Sequence, residues 1–411
     1  MKKIVTIFIS SLLVLNMYSQ VINRCSSMDV LYQDELNDPS LAANILVQQQ
    51  LQDQWMQQNP DGGSRSVVTI PVVVHVVYNT TTQNISDAQI QSQIAVLNQD
   101  YARLNPDSVN TPSCWTTVAG GTNIRFTLAV RDPNGNSTNG IERIHITSNT
   151  SFSTNDQVKK SSTGGADGWD RNSYLNLWVC NLGGGVLGYS SFPGGQAWKD
   201  GVVISYKYFG TIGTATNPYD LGRTATHEIG HWLGLYHIWG DDNGACSGSD
   251  NITDTPNQAS ENYGCPNFPH VSCSNGPNGD MFCNYMDYTD DNCMNMFTDK
   301  QVLKMQSTIS TTRSSILTSL GGTPVGIQDI SFGNGISIYP NPASNSASVY
   351  FADKSLKNIT VNVYSVTGVL IKSMIIQPND VLDVTDLNSG VYYLSFSNGT
   401  FEFMKKLVIE H

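Results

Sequence analysis

Apolar and polar positions follow two different periods along this chain, and each period marks an element. Val67-Val-Thr-Ile-Pro-Val-Val-Val-His-Val-Val-Tyr78 is a near-continuous apolar run, the pattern of a strand buried on both faces. Ile90, Ile94, Leu97 and Tyr101 then recur at helical spacing behind Ser86-Asp-Ala-Gln89. A serine three residues ahead of a glutamine predicts a capping box at the start of that helix. Ile124 to Val130 and Ile141 to Ile146 read as strands across an Asp132-Pro-Asn-Gly135 turn. Leu175 to Cys180 and Val202 to Tyr206 read as two more, and Thr298 starts a last helix that ends near Leu320.

Breaks in these patterns divide the chain. Lys2 and Lys3, the apolar run Ile4 to Leu15 and small Ser19 predict a signal peptide over residues 1–19. Residues 20–65 are polar and Gln-rich, helical in pattern from Leu41 to Met56, and end in the loose run Asn59-Pro-Asp-Gly-Gly-Ser-Arg65. The mixed strands and helices of 66–320 stop at Gly321-Gly-Thr-Pro324, which opens a linker over 321–335. Short strands then dominate residues 336–411, among them Ile336 to Tyr339, Thr360 to Tyr364 and Val391 to Phe396, and predict a small β-sandwich. The fold class expected is α+β, a mixed sheet with helices followed by that sandwich.

Charge and cysteine usage narrow the function classes. A net charge of −12 excludes a nucleic-acid binder and a polybasic membrane anchor. No apolar run reaches the ~20 residues of a membrane span. Export permits disulfides among the eight cysteines. Cys246, Cys265, Cys273 and Cys293 lie in a Gly/Asn/Asp-rich stretch without hydrophobic period, where cross-links would hold the chain. More than one pairing is open to them. No Cys-x-x-Cys spacing favours a second zinc site over disulfides.

The chemistry concentrates in His227-Glu-Ile-Gly-His-Trp-Leu-Gly-Leu-Tyr-His237. At ~3.6 residues per turn His227 and His231 share one helix face and can reach one zinc ion. Glu228 lies beside them as a candidate general base. Gly234 lets the chain leave the helix in a left-handed conformation and return His237 as a third ligand.

This motif resembles the metzincin zinc peptidases, and Asn284-Tyr-Met-Asp-Tyr288 is similar to the Met-turn of their pappalysin, ulilysin-like branch. The resemblance covers roughly residues 66–320. It implies a metzincin catalytic domain with a mixed twisted sheet, a zinc helix and a loop-rich lower half. It places Met286 beneath the histidines and gives Tyr288 the role of stabilising the tetrahedral intermediate. It pairs Cys246 with Cys273 and Cys265 with Cys293. It implies structural calcium, for which Asp250, Asp254 and Thr255 supply hard oxygens. Asp291, five residues beyond Met286, would line the pocket for Arg or Lys after the scissile bond. The Ser64–Arg65 bond then becomes a candidate self-cleavage site. Arg24-Cys25 resembles the switch of ulilysin-like zymogens, so Cys25 would occupy the fourth zinc position and residues 20–65 would form an inhibitory propeptide. Tyr339-Pro-Asn-Pro-Ala343, Val363-Tyr-Ser-Val-Thr-Gly368 and Leu387-Asn-Ser-Gly-Val-Tyr392 resemble a type IX secretion sorting domain.

The function expected is a zinc endopeptidase acting on proteins or peptides, secreted or attached to the outer cell surface by the type IX machinery. Two alternatives stand beside it: an inactive surface-binding protein with a structural zinc, and a peptidase for cell-wall peptides. An intact Glu228 argues against the first, because a structural site needs no base.

Overall fold

A computed structural model describes residues 23–62, 66–147, 151–324, 336–351, 357–377, 380–397 and 402–411. The expected signal peptide, most of the linker and the Ser64–Arg65 bond lie outside the described residues. The described residues up to Pro324 form one compact unit and those from Ile336 a second.

In the first unit, β1 (Asn23–Cys25) leads into helices α1 (Ser27–Asn37) and α2 (Pro39–Gln58). β2 (Val68–Tyr78) follows, and its residues from Ile70 to Val77 are buried on both faces, as the unbroken apolar run requires. α3 (Asp87–Tyr101) turns Ile90, Ile94, Leu97 and Tyr101 into the core. Ser86 caps it by accepting the Gln89 N–H at 3.2 Å. The Gln89 side chain does not return the bond. Its Oε1 accepts the Thr214 N–H at 3.2 Å instead, and its Nε2 donates to the Phe209 carbonyl at 2.8 Å, so only half of the expected capping box forms.

The remaining elements are β3 (Ala119–Gly120), β4 (Ile124–Leu128), β5 (Ile141–His145), β6 (Leu175–Cys180), β7 (Val186–Ser190), β8 (Val202–Ser205), α4 (Arg223–Trp232), β9 (Phe297–Thr298) and α5 (Asp299–Ser310). The main sheet runs β1-β7-β8-β6-β2-β4, with β5 also on β2. β4 and β5 do not form a hairpin across Asp132–Gly135. Both run parallel to β2, β4 beside Val68–Val72 and β5 beside Val74–Tyr78. At 11 residues β2 is long enough to hold both partners end to end. α5 stops at Ser310 and only a single tight turn follows over Ser314–Thr318, short of the expected end. The core between this sheet and helices α3, α4 and α5 joins Val74, Leu177, Ile204, Ile229, Trp232 and Met305. The edge strand β7 is antiparallel to β8 and carries β1 in parallel on its outer side.

Among the described residues the strands of the second unit pair antiparallel, with one isolated parallel bridge between Ala343 and Ile409. One sheet contains β10 (Ile336–Tyr339), β11 (Ser346–Phe351) and β14 (Val381–Asp383). The other contains β12 (Ile359–Ser365), β13 (Leu370–Ile376), β15 (Gly390–Ser397) and β16 (Glu402–Ile409). Alternation in β11 turns Ala347, Val349 and Phe351 toward Val361, Leu394 and Phe396, giving a small sandwich with a shared core.

Candidate active site

α4 presents His227 and His231 one turn apart, and both are buried. The chain then turns at Gly234, whose φ of +90° favours glycine. That turn brings His237 back, so the Nε2 atoms of His227 and His237 each lie 3.1 Å from Nε2 of His231. Cys25 Sγ completes the cluster 3.5 Å from His231 Nε2. All four ligand atoms lie within 4.8 Å of one another. Arms of ~2.0–2.1 Å to nitrogen and ~2.3 Å to sulfur, set tetrahedrally, put ligand atoms ~3.3–3.6 Å apart, close to the 3.1 and 3.5 Å separations around His231. The donor set therefore fits one zinc ion. Among the described residues it is the only such group of three or more histidine, cysteine or acidic side chains.

Each imidazole is oriented through its other nitrogen. His227 Nδ1 donates to the Tyr285 carbonyl and His231 Nδ1 to the Leu235 carbonyl, both at 2.7 Å. His237 Nδ1 meets the Asp241 carboxylate at 2.8 Å. Burial, with the neighbouring histidines, holds His227 and His231 well below the usual imidazole range, so both are neutral and ready to ligate. Met286 lies beneath α4. Its sulfur is so near Gly230 that an added Cβ would fall 2.6 Å from it, which explains the glycine between the two helix histidines.

Glu228 is fully buried. Burial pushes its carboxyl up to about 8, although Ser27 and Cys25 bond to it. Ser27 Oγ donates to Oε2 at 2.6 Å and Cys25 Sγ at 3.4 Å, whereas Oε1 has no partner. An acid with one free oxygen beside three ligating nitrogens is placed to exchange a proton with a small molecule bound there. The Tyr288 hydroxyl lies 3.2 Å from His237 Nε2 and donates to the Cys25 carbonyl at 3.1 Å.

Asp291 is buried beyond this cluster. Its Oδ2 accepts the N–H groups of Leu221 and Arg223 at 3.0 and 3.1 Å. Its Oδ1 receives Arg24 Nη2 at 2.9 Å. Arg24 also donates to the Thr289 carbonyl and lies over the Tyr219 ring at 4.8 Å.

The other sequence-derived candidates separate from this centre. Disulfides join Cys246 to Cys273 and Cys265 to Cys293, while Cys114, Cys180 and Cys283 are free. Asp250 accepts the Ile252 N–H and the Thr255 hydroxyl, each at 3.0 Å. Asp254 turns toward α5 instead, accepting Thr298 Oγ1 at 2.6 Å and the Lys300 N–H at 2.9 Å. Three contributors escaped the sequence reading: Ser27, Asp241 and the edge strand β7. Only Asp241 carried a signal, a carboxylate four residues after a ligating histidine.

The family described as pregnancy-associated plasma protein-A, a peptidase family, matches residues 153–310, and the secretion system C-terminal sorting domain matches residues 337–410. An extracellular metalloprotease of Pyricularia oryzae is 35% identical over 252 residues, covering 59% of this chain and 75% of the relative. Mature mirolysin of Tannerella forsythia in complex with a cleaved peptide is 55% identical, with a TM-score of 0.62, over 64% of this chain and 99% of that one. A Tannerella forsythia promirolysin mutant is 49% identical, with a TM-score of 0.66, over 74% of this chain and 100% of that one.

Proposed function

The chain belongs to the secreted zinc metalloproteases of the pregnancy-associated plasma protein-A family, with a type IX secretion sorting domain at its C-terminal end, and from that premise we propose how its residues divide the work. It is a zinc-dependent endopeptidase acting on protein substrates outside the cell or at its surface. The observation that carries the proposal is the convergence of His227, His231, His237 and Cys25 beside the half-partnered carboxyl of Glu228.

Zinc, when held by the three histidines, supplies Lewis acidity toward a peptide carbonyl and an attacking water. Glu228 takes the proton of that water and hands it to the leaving amine. Its partners Ser27 and Cys25 both belong to the segment ahead of residue 65, so departure of that segment frees the carboxylate. The Tyr288 hydroxyl donates to the carbonyl oxygen on which negative charge develops, a place taken here by the backbone carbonyl of Cys25.

The same contacts support reading residues 20–65 as an inhibitory propeptide and 66–320 as the catalytic domain. Cys25 fills the fourth ligand position, and burial followed by the nearby Glu228 keeps its thiol well above the ordinary range unless a metal ion ionises it. The promirolysin match extends over more of this chain than the mature mirolysin match, a difference the size of a short pro-segment. Arg24 supports a preference for Arg or Lys after the scissile bond, because its guanidinium is buried on Asp291. Asp250 supports bound calcium near Thr255. Burial pushes its carboxyl up to about 7, and a cation would relieve that. Asp254 is engaged with α5 and contributes less to that reading.

The deciding variant is Glu228→Ala. It should bind one zinc per chain and lose nearly all peptide cleavage after maturation. Full cleavage by a zinc-loaded Glu228→Ala chain would remove Glu228 from the mechanism.

A further inference from the structure

An apolar patch adjoins the histidine cluster and takes no part in the steps above. Phe192 stands two residues beyond the end of β7, and its ring packs on His231 and Tyr236 with centroid separations of 5.2 and 5.0 Å. Leu31, Leu41 and Ile45 close over it, leaving Phe192 4% exposed, with Met28 and Tyr236 at the margin. Pro193 and Gly234 extend the same surface beneath Ile45. Gln49 Nε2 also donates to the Tyr236 hydroxyl at 2.8 Å. Every covering residue belongs to the segment ahead of residue 65. Its departure leaves an aromatic wall in contact with a metal ligand.

The register of β1 says which part of a substrate meets this wall. Asn23 lies opposite Val186 and Cys25 opposite Gly188, in parallel, and the Ser190 N–H donates to Ser27 Oγ at 2.8 Å. Following β7 toward Phe192 therefore leads away from Arg24 and its Asp291 pocket, past the metal ligands. A substrate with its basic residue on Asp291 and its preceding residue at the histidines continues toward Ser190 and Phe192, antiparallel to β7. At ~3.3 Å per extended residue, the second and third residues before the cut reach the patch.

We infer that Phe192, Pro193 and Tyr236 form a subsite for a bulky aliphatic side chain two or three residues before the scissile bond, which Leu31, Leu41 and Ile45 fill in the latent chain. The inference rests on the reading of Asp291 as the pocket for the residue after that bond. Aliphatic recognition by a desolvated pocket is worth roughly tenfold or more in kcat/KM.

The test uses the matured chain and quenched peptides carrying Arg after the cut, with Leu or Gly at the second and third positions before it. Leu should raise kcat/KM at least about tenfold over Gly, and Phe192→Ser should bring that ratio toward one at unchanged zinc content. If Phe192→Ser fails to fold, the ratio in the unmodified chain decides. Equal cleavage of the Leu and Gly peptides overturns the subsite. A parallel pair with Arg or Ala after the cut reads the Asp291 pocket separately, and indifference there overturns that reading instead.

Discussion

Arg24 and Asp291, 267 residues apart, form an ion pair of 2.9 Å in which neither side chain touches solvent. A buried carboxylate needs a partner, and the backbone N–H groups of Leu221 and Arg223 reach only one of its oxygens. On the proposed reading, Arg24 supplies the charge that a basic substrate residue would supply. A synthetic peptide of residues 21–30 should inhibit the matured enzyme in trans. Its Arg24→Ala form should be weaker by at least about thirtyfold, since truncating a buried charged partner costs about 2–5 kcal/mol. Equal inhibition constants would separate Arg24 from latency.

Two of the three histidines are oriented by backbone carbonyls, but His237 depends on a side chain, Asp241. A carboxylate behind a ligating imidazole fixes its orientation and raises its basicity. Asp241→Asn should therefore weaken zinc binding by about 10–100-fold, read by competition against a zinc chelator. An unchanged affinity would mean that Asp241 only packs beside the ring.

Asp250 gives the calcium reading a pH signature. Its carboxyl stands at about 7 in the folded chain, mainly through burial, against ~3.9 unfolded. Between those values the folded state binds the proton more, so without calcium this group's contribution to stability falls as pH rises from ~4 to ~7. Calcium requires the carboxylate, so its stabilising effect grows over the same window. The rise in Tm on adding calcium should be larger at pH 8 than at pH 5. No rise at either pH would exclude the site.

The zinc helix was legible because its ligands recur one turn apart, and β2 because an apolar run of its length has no other comfortable structure. Elements made by pairing alone were not legible. β1 has three residues, two of them polar, and forms because β7 offers an open edge. β7 itself is masked by glycines. One of them, Gly188, is required because a Cβ there would come within 3.0 Å of Ile204 and Glu228. Nothing local in Asn23-Arg-Cys25 said that Arg24 would be buried against Asp291. The Asp132–Gly135 turn signal told where the chain bends and not that β4 and β5 would both pair with β2.

Cleavage-site profiling of the matured, zinc-loaded chain on a mixed peptide library tests the central claim most directly. Arg or Lys should stand immediately after the cut, and the preference should vanish in Asp291→Ala. Cleavage that ignores the residue after the bond, or a preference that survives Asp291→Ala, would contradict it.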